Sequence, residues 1–330
     1  MRRREFLRRS ALAAATGSLI GCRRSQPRAM SPPTMPPTSG APPVFEISLA
    51  EWSLNRALFA GDIDPLDFPS IARQRFGIDR VEYVNVFIGG GNPDETFLTD
   101  LKRRADDAGV QSLLIMVDRE GALGDPDDAE RARSVDNHHK WVHAARTLGC
   151  HSIRVNAASA GTPDQQRDLA ADGLRRLTEY AAGYGLNVIV ENHGGLSSNG
   201  AWLASVIRKV DHPGCGTLPD FGNFRIADDD WYDRYQGVEE LMPYAKAVSA
   251  KSHDFDDQGN ETHTDYTRMM RIVLDAGYRG YVGIEYEGES LPEFEGITAT
   301  KTLLERVRHK LQAEYASEPL AITKEEEKDA

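Results

Sequence analysis

The sequence predicts a (β/α)8 barrel of the α/β class, and three observations carry that expectation. Eight short runs rich in β-branched and aliphatic residues recur along residues 44 to 315, longer amphipathic stretches separate them, and the eight units fill about 272 residues. An open doubly wound sheet fits less well. Gly89-Gly90-Gly91 follows a strand without the G-x-G-x-x-G spacing of a dinucleotide site and reads as a flexible loop.

Taken in order, residues 1 to 22 read as an export address. Arg2-Arg3-Arg4-Glu5-Phe6-Leu7 resembles the twin-arginine signal, and the apolar stretch from Ala11 to Gly21 is too short and too rich in Ala and Gly to span a bilayer. The signal ends Leu19-Ile20-Gly21-Cys22, which resembles a bacterial lipobox and makes Cys22 the candidate lipidation site. The alternative is a plain soluble export signal with an incidental cysteine. The expected location is therefore periplasmic, or membrane-anchored through a lipid. Residues 23 to 43 hold seven prolines and almost nothing to bury, so they predict an extended tether reaching roughly 60 Å at about 3.1 Å per residue.

Strands are predicted over residues 44–49, 81–86, 112–117, 152–156, 187–191, 216–220, 247–253 and 281–285. Helices are predicted over 94–108, 127–148, 163–184, 200–210, 237–244, 264–276 and 293–312, several opening on Asp, Thr or Pro. Gly109, Gly149, Gly185 and Gly277 fall where a left-handed cap is wanted before the next strand. Residues 316 to 330 end in Lys324-Glu325-Glu326-Glu327-Lys328-Asp329 and read as a solvated tail.

Charge and cysteine content narrow the function classes. The chain carries a formal charge of −12, which becomes −16 once the five arginines and one glutamate of residues 1–22 are set aside. So acidic a body repels phosphate backbones and argues against nucleic acid. Cys22, Cys150 and Cys215 make neither a disulfide framework nor a zinc spacing.

A barrel gathers its chemistry at the C-terminal ends of its strands. Four polar residues end the predicted fifth to eighth strands: Glu191, Asp220, His253 and Glu285. Consecutive strands let their side chains converge, and three carboxylates with an imidazole suit a divalent ion. Mn2+ or Mg2+ is favoured over zinc, with Co2+ a further alternative. Each residue taken alone is as well explained as a polar group where a strand meets solvent.

The stretches Val190-Glu191-Asn192-His193, Leu218-Pro219-Asp220-Phe221-Gly222-Asn223, Lys251-Ser252-His253-Asp254 and Gly283-Ile284-Glu285-Tyr286 resemble the four metal-binding strand ends of the xylose isomerase-like barrel superfamily, in the same order. That superfamily contains sugar isomerases, epimerases and apurinic endonucleases. The resemblance covers nearly all of residues 44 to 312. It implies that Glu191, Asp220, His253 and Glu285 bind the metal and that the two glutamates double as acid and base. One departure is Asn223, where many members carry a histidine. Its loss, with the acidic body and the export address, counts against DNA repair.

Strand alternation adds His193, two residues past Glu191, and Lys251, two residues before His253. Lys251 is a candidate to polarise a carbonyl or act as a base, with an ion-pair partner as the alternative. Glu82 matches a second-strand glutamate that the superfamily often carries, and Asn156 ends the fourth strand. Both are expected to line the pocket, although Glu82 also has a structural alternative, pairing with Arg154. Trp52 offers an apolar face to a sugar ring, or a core contact. His138, His139 and His143 lie on a predicted helix and read as packed or solvent-facing.

The expected activity is a divalent-metal-dependent sugar or keto-sugar isomerase or epimerase working through an enediolate. The same site admits a lyase or hydratase acting on keto-glycosides, and a non-catalytic carbohydrate-binding lipoprotein is the alternative from another class. The expected partner is a small unphosphorylated carbohydrate, with the membrane met through the anchor alone and a homo-oligomer left open.

Overall fold

A computed structural model describes residues 42–315. The expected export signal with Cys22, nearly all of the proline-rich stretch and the tail from 316 lie outside the described residues. Eight parallel strands make one sheet: β1 Glu46–Ala50, β2 Arg80–Val84, β3 Gln111–Met116, β4 Ser152–Val155, β5 Asn187–Glu191, β6 Cys215–Leu218, β9 Val248–Ser252 and β10 Tyr281–Tyr286. A small antiparallel hairpin, β7 Arg225–Ala227 with β8 Asp230–Trp231, falls between β6 and β9 in the chain. The sheet order is β6-β5-β4-β3-β2-β1-β10-β9.

Its two edges meet through isolated parallel bridges, Thr217 with Ala245 and Asp220 with Ser249. Lys246 N donates to Thr217 O at 3.0 Å, Ser249 N to Pro219 O at 2.9 Å and Phe221 N to Ser249 O at 3.1 Å. Pro219 has no N–H to give, so the ladder is broken where the barrel closes. Asp220, just past the break, is held by its bridge to Ser249 and is fully buried.

The strands are buried on both faces, and this explains why they read as apolar runs without polar alternation. Most helices open on side-chain caps. Asp94, Asp127, Asn199, Asp233 and Asp265 accept from first-turn amides, and Thr162 with Gln165 forms a capping box on α5 Pro163–Ala182. The four glycines expected to be left-handed all have positive φ, and Gly149, at 79°, ends α4 Asp128–Leu148.

Three differences from the sequence reading matter. The first crossover holds two unexpected helices, α1 Asn55–Ala60 and α2 Phe68–Phe76, and α1 carries an aromatic residue to the barrel mouth. α7 runs over Arg234–Leu241, beginning where the Asp233 cap sets it. Finally, β9 stops at Ser252 rather than 253, which moves His253 off the strand.

Candidate active site

Three of the four expected acids and bases converge. Glu191 closes β5, Asp220 follows β6 and Glu285 lies on β10, and their carboxylates offer oxygens within 4.8 Å of one another. Asn192 fixes Asp220 from both sides, accepting from its N–H at 2.8 Å and donating to its carbonyl at 3.0 Å. The Ser249 hydroxyl, from β9, lies 2.8 Å from both Asp220 Oδ2 and Glu285 Oε2. Asn223 donates to Glu191 Oε1 at 2.9 Å, so the amide standing where many relatives of this type carry histidine anchors one carboxylate.

Two buried cations are built into the cluster. Lys251 is the β9 residue in register with Glu285. Its Nζ lies 3.1 Å from Glu285 Oε1, 3.1 Å from Glu287 Oε1 and 3.8 Å from Asp220 Oδ2. Arg154, on β4, sets Nε 2.5 Å from Glu191 Oε2 as an ion pair and donates from Nη1 to Asp118 Oδ1 at 2.8 Å. That short approach lacks the angle of a hydrogen bond, and both atoms count as buried without a hydrogen-bond partner.

The charges respond to this environment. Burial pushes the Asp220 carboxyl up to about 7, with Lys251 opposing and Glu191 and Glu285 reinforcing the rise. Burial likewise raises Glu285, but Lys251, Ser249 and Arg154 together hold it below the usual carboxylate range. Burial disfavours a charged Lys251, yet Glu285, Asp220, Glu287 and Glu191 keep its ammonium protonated well past the ordinary lysine range. Glu82 is raised to about 7, chiefly by burial; Ser48 opposes, donating to it at 2.6 Å. Burial and the two cations thus drive the carboxylates of one cluster in opposite directions.

Above the cluster opens a cleft of about 560 Å³. Trp52 and Phe59 form one wall, with their rings 6.0 Å apart, and Phe87 packs 4.9 Å from Phe59. The lining also includes Asp118, Arg154, His193, Glu285 and Glu287. Arg119, a non-glycine residue held at φ 65°, also lines it. Aromatic rings together with acids and a guanidinium suit a small polyhydroxylated molecule with one apolar face.

Several expectations need correction or completion. His253 does not join the three carboxylates; it groups with Glu261 and His263. The reason is backbone geometry. The strand ends at Ser252, and the chain then turns into a loop closed by the Phe255 to Glu261 bridge. Glu82 does not pair with Arg154, which is taken by Glu191 and Asp118, and one Glu82 oxygen is left without a partner. Trp52 and His193 line the cleft. Asn156 donates to Asp118 Oδ1 at 2.6 Å, with its own oxygen unpartnered. His138 is buried against the Ser134 carbonyl, His139 stacks half-buried on Tyr180, and His143 is exposed with its ring bonded to the Tyr180 hydroxyl.

Sequence reasoning missed Asp118, Glu287 and Phe59. Asp118 lies two residues past β3 and Glu287 two past Glu285, so the strand-end rule extended to those positions finds both.

The three carboxylates form a group that could hold a metal ion. With Lys251 in place the donor set does not fit one. The ammonium is already shared among Glu285, Glu287 and Asp220, and the remaining oxygens accept from Asn223 and backbone amides, face Arg154, or share the single hydroxyl proton of Ser249.

Comparison with known proteins follows the same lines. A curated C-glycoside deglycosidase alpha subunit from Arthrobacter globiformis is 34% identical over 68 residues, 21% of this chain and 17% of that relative's length. A 3'-dehydrocarminate deglycosidase alpha subunit from Microbacterium sp. is 22% identical over 298 residues, covering 66% of this chain and 82% of its own. Among solved structures, a Xylose isomerase-like TIM barrel protein from Mycobacterium smegmatis in complex with magnesium superposes with a TM-score of 0.61 at 17% identity, over 82% of this chain and 97% of that one. A 3-keto-D-glucoside 4-epimerase from E. coli gives 0.59 at 16% identity, over 74% and 94%. The sequence profile of the Xylose isomerase-like TIM barrel family matches residues 72–309, and the chain belongs to that family.

Proposed function

We propose that this protein is an enzyme that moves a proton beside the carbonyl of an unphosphorylated keto-sugar, as an isomerase or epimerase. The observation that carries this reading is the cleft of about 560 Å³, lined both by the aromatic rings of Trp52 and Phe59 and by Arg154 and Glu285. Glu285 is the base: it reaches the cleft, and Lys251, Ser249 and Arg154 keep it ionised. The Arg154 guanidinium faces the same space and would stabilise the enediolate oxygens as charge develops on them. His193 or Glu287, both on the cleft, would return the proton from another direction, and Glu191 and Asp220 hold the two cations in place behind them.

A second reading, elimination of a glycosidic leaving group after the same proton removal, is favoured by the two curated relatives, both deglycosidase alpha subunits. A divalent ion at these strand ends, Mn2+ foremost, would be held by Glu191, Asp220 and Glu285 and would have to displace the Lys251 ammonium. The signal-like residues 1–22, with Cys22 as the candidate anchor, support a reaction outside the cytoplasm.

The test is an NMR time course of the protein with a panel of keto-glucosides. A new epimer supports the first reading and a released aglycone the second. Tight sugar binding with no turnover of any keto-sugar would make it a carbohydrate-binding protein instead.

A further inference from the structure

We propose that the Lys251 ammonium is the resident cation of the carboxylate cluster, standing where a divalent ion would otherwise bind, so that the site is complete without metal. The proposal concerns what neutralises the cluster, not which sugar reaction runs above it, and the two can fail separately.

Backbone register decides which β9 side chain reaches the cluster. Glu285 is paired with Lys251, and Tyr286 with Ser252, so the inward position opposite Glu285 belongs to a lysine. The residue with a metal-ligating ring, His253, lies beyond the strand and is grouped with Glu261 and His263. A lysine cannot ligate a metal while protonated, and its ammonium donates to Glu285 and Glu287 and lies 3.8 Å from Asp220 as an ion pair.

The surrounding chain is shaped for that side chain. A Cβ at position 222 would lie 2.8 Å from Lys251 Cγ and 3.2 Å from its Cβ, so the glycine there leaves the room that the lysine stem occupies. Gly222 N in turn donates to Asp220 Oδ1 at 2.7 Å, which ties the same loop to the carboxylate that the ammonium approaches. Arg154 balances Glu191 on the far side. Lys251 and Arg154 bring two buried positive charges against the three buried carboxylates, and although both are shared outward with Glu287 and Asp118, the trio offers a divalent ion less negative charge than it would without them. An added ion would also meet the ammonium at close range.

The experiment measures metal directly on the full-length protein. Elemental analysis after purification without chelator is expected to give divalent metal far below one equivalent, and Mn2+ titration of the wild type is expected to give neither binding heat nor a rise in Tm. Lys251→His is expected to gain Mn2+ binding at one equivalent, seen by calorimetry and by the paramagnetic resonance of the bound ion, with a Tm that climbs with Mn2+ concentration. If Lys251→His does not fold, Lys251→Met carries the comparison, since it removes the charge at similar length and is expected to bind Mn2+ more tightly than wild type. A stoichiometric divalent ion in the wild type, Mn2+ stabilisation of the wild type, or folded variants with no gain in Mn2+ affinity would each overturn the proposal.

Discussion

Lys251 and Glu285 face each other across adjacent strands, and their side chains meet at 3.1 Å in a region closed to solvent. Such a pair contributes little net stability compared with an apolar pair, because both charges were taken out of water. Removing one partner is a different matter, since the other is left buried and alone. Lys251→Met is therefore expected to lower the unfolding free energy by about 3 to 5 kcal/mol in denaturant titrations. Glu285→Gln, which keeps hydrogen-bonding capacity toward Lys251, should cost less.

Arg154 is the guanidinium through which the cluster touches the cleft. It is paired with Glu191 and Asp118 on two different edges, and a lysine cannot reproduce that planar, two-sided contact. Both Arg154→Lys and Arg154→Met are expected to reduce kcat by about 10²- to 10³-fold, the usual cost of losing one preorganised donor to a developing oxyanion. Steady-state kinetics on the keto-sugar that the protein turns over checks this.

Phe59 is 56% exposed yet sits on the cleft wall against Trp52 and Phe87. If the cleft binds a sugar as proposed, this exposed ring is placed to cover one of its faces. Phe59→Ala should raise KM by up to about tenfold, with kcat and Tm nearly unchanged, in line with an aromatic contact worth about 0.5–1.5 kcal/mol.

The barrel itself was legible because its strands are buried on both faces and its helices are capped by Asp, Thr and Asn. The boundaries of β5 match the expected ones, and Glu191 falls at its end as expected. Helices α1 and α2 were not legible: α1 has six residues, and α2 opens on Phe68-Pro69 with a weak apolar stripe. The β7 to β8 hairpin is too short to show alternation. At the site, alternation gave Lys251 and His253 the same face, but that rule holds only while the strand lasts, and β9 ends between them. The expectation therefore chose the better metal ligand, while the fold presents the cation. The Glu82 pairing failed for another reason: Arg154 had two acids on its own side of the barrel, a competition that spacing along the chain does not reveal.

Glu51 supplies a stability signature at neutral pH. It is buried at the start of the first crossover and accepts from Val84 N at 2.9 Å, and burial raises its carboxyl from 4.5 to about 8 despite that bond. In the folded protein the group keeps a proton that the unfolded chain gives up near its ordinary value. Stability from this group is thus full at acid pH and falls as pH rises from about 4.5 to about 8. Glu51→Gln is expected to flatten this slope and to make the protein more stable than wild type above pH 8, by a few kcal/mol at roughly 1.4 kcal/mol per pKa unit. Urea titrations across that range decide it, and an unchanged slope would locate the proton elsewhere.

Isotope exchange probes the proposed chemistry most directly. With a 3-keto-glucoside in D2O and a chelator present, the wild-type protein should place solvent deuterium on a carbon next to the ketone, and Glu285→Gln should slow that exchange strongly. No deuterium uptake into any keto-sugar that the cleft demonstrably binds would contradict proton transfer as the function of this site.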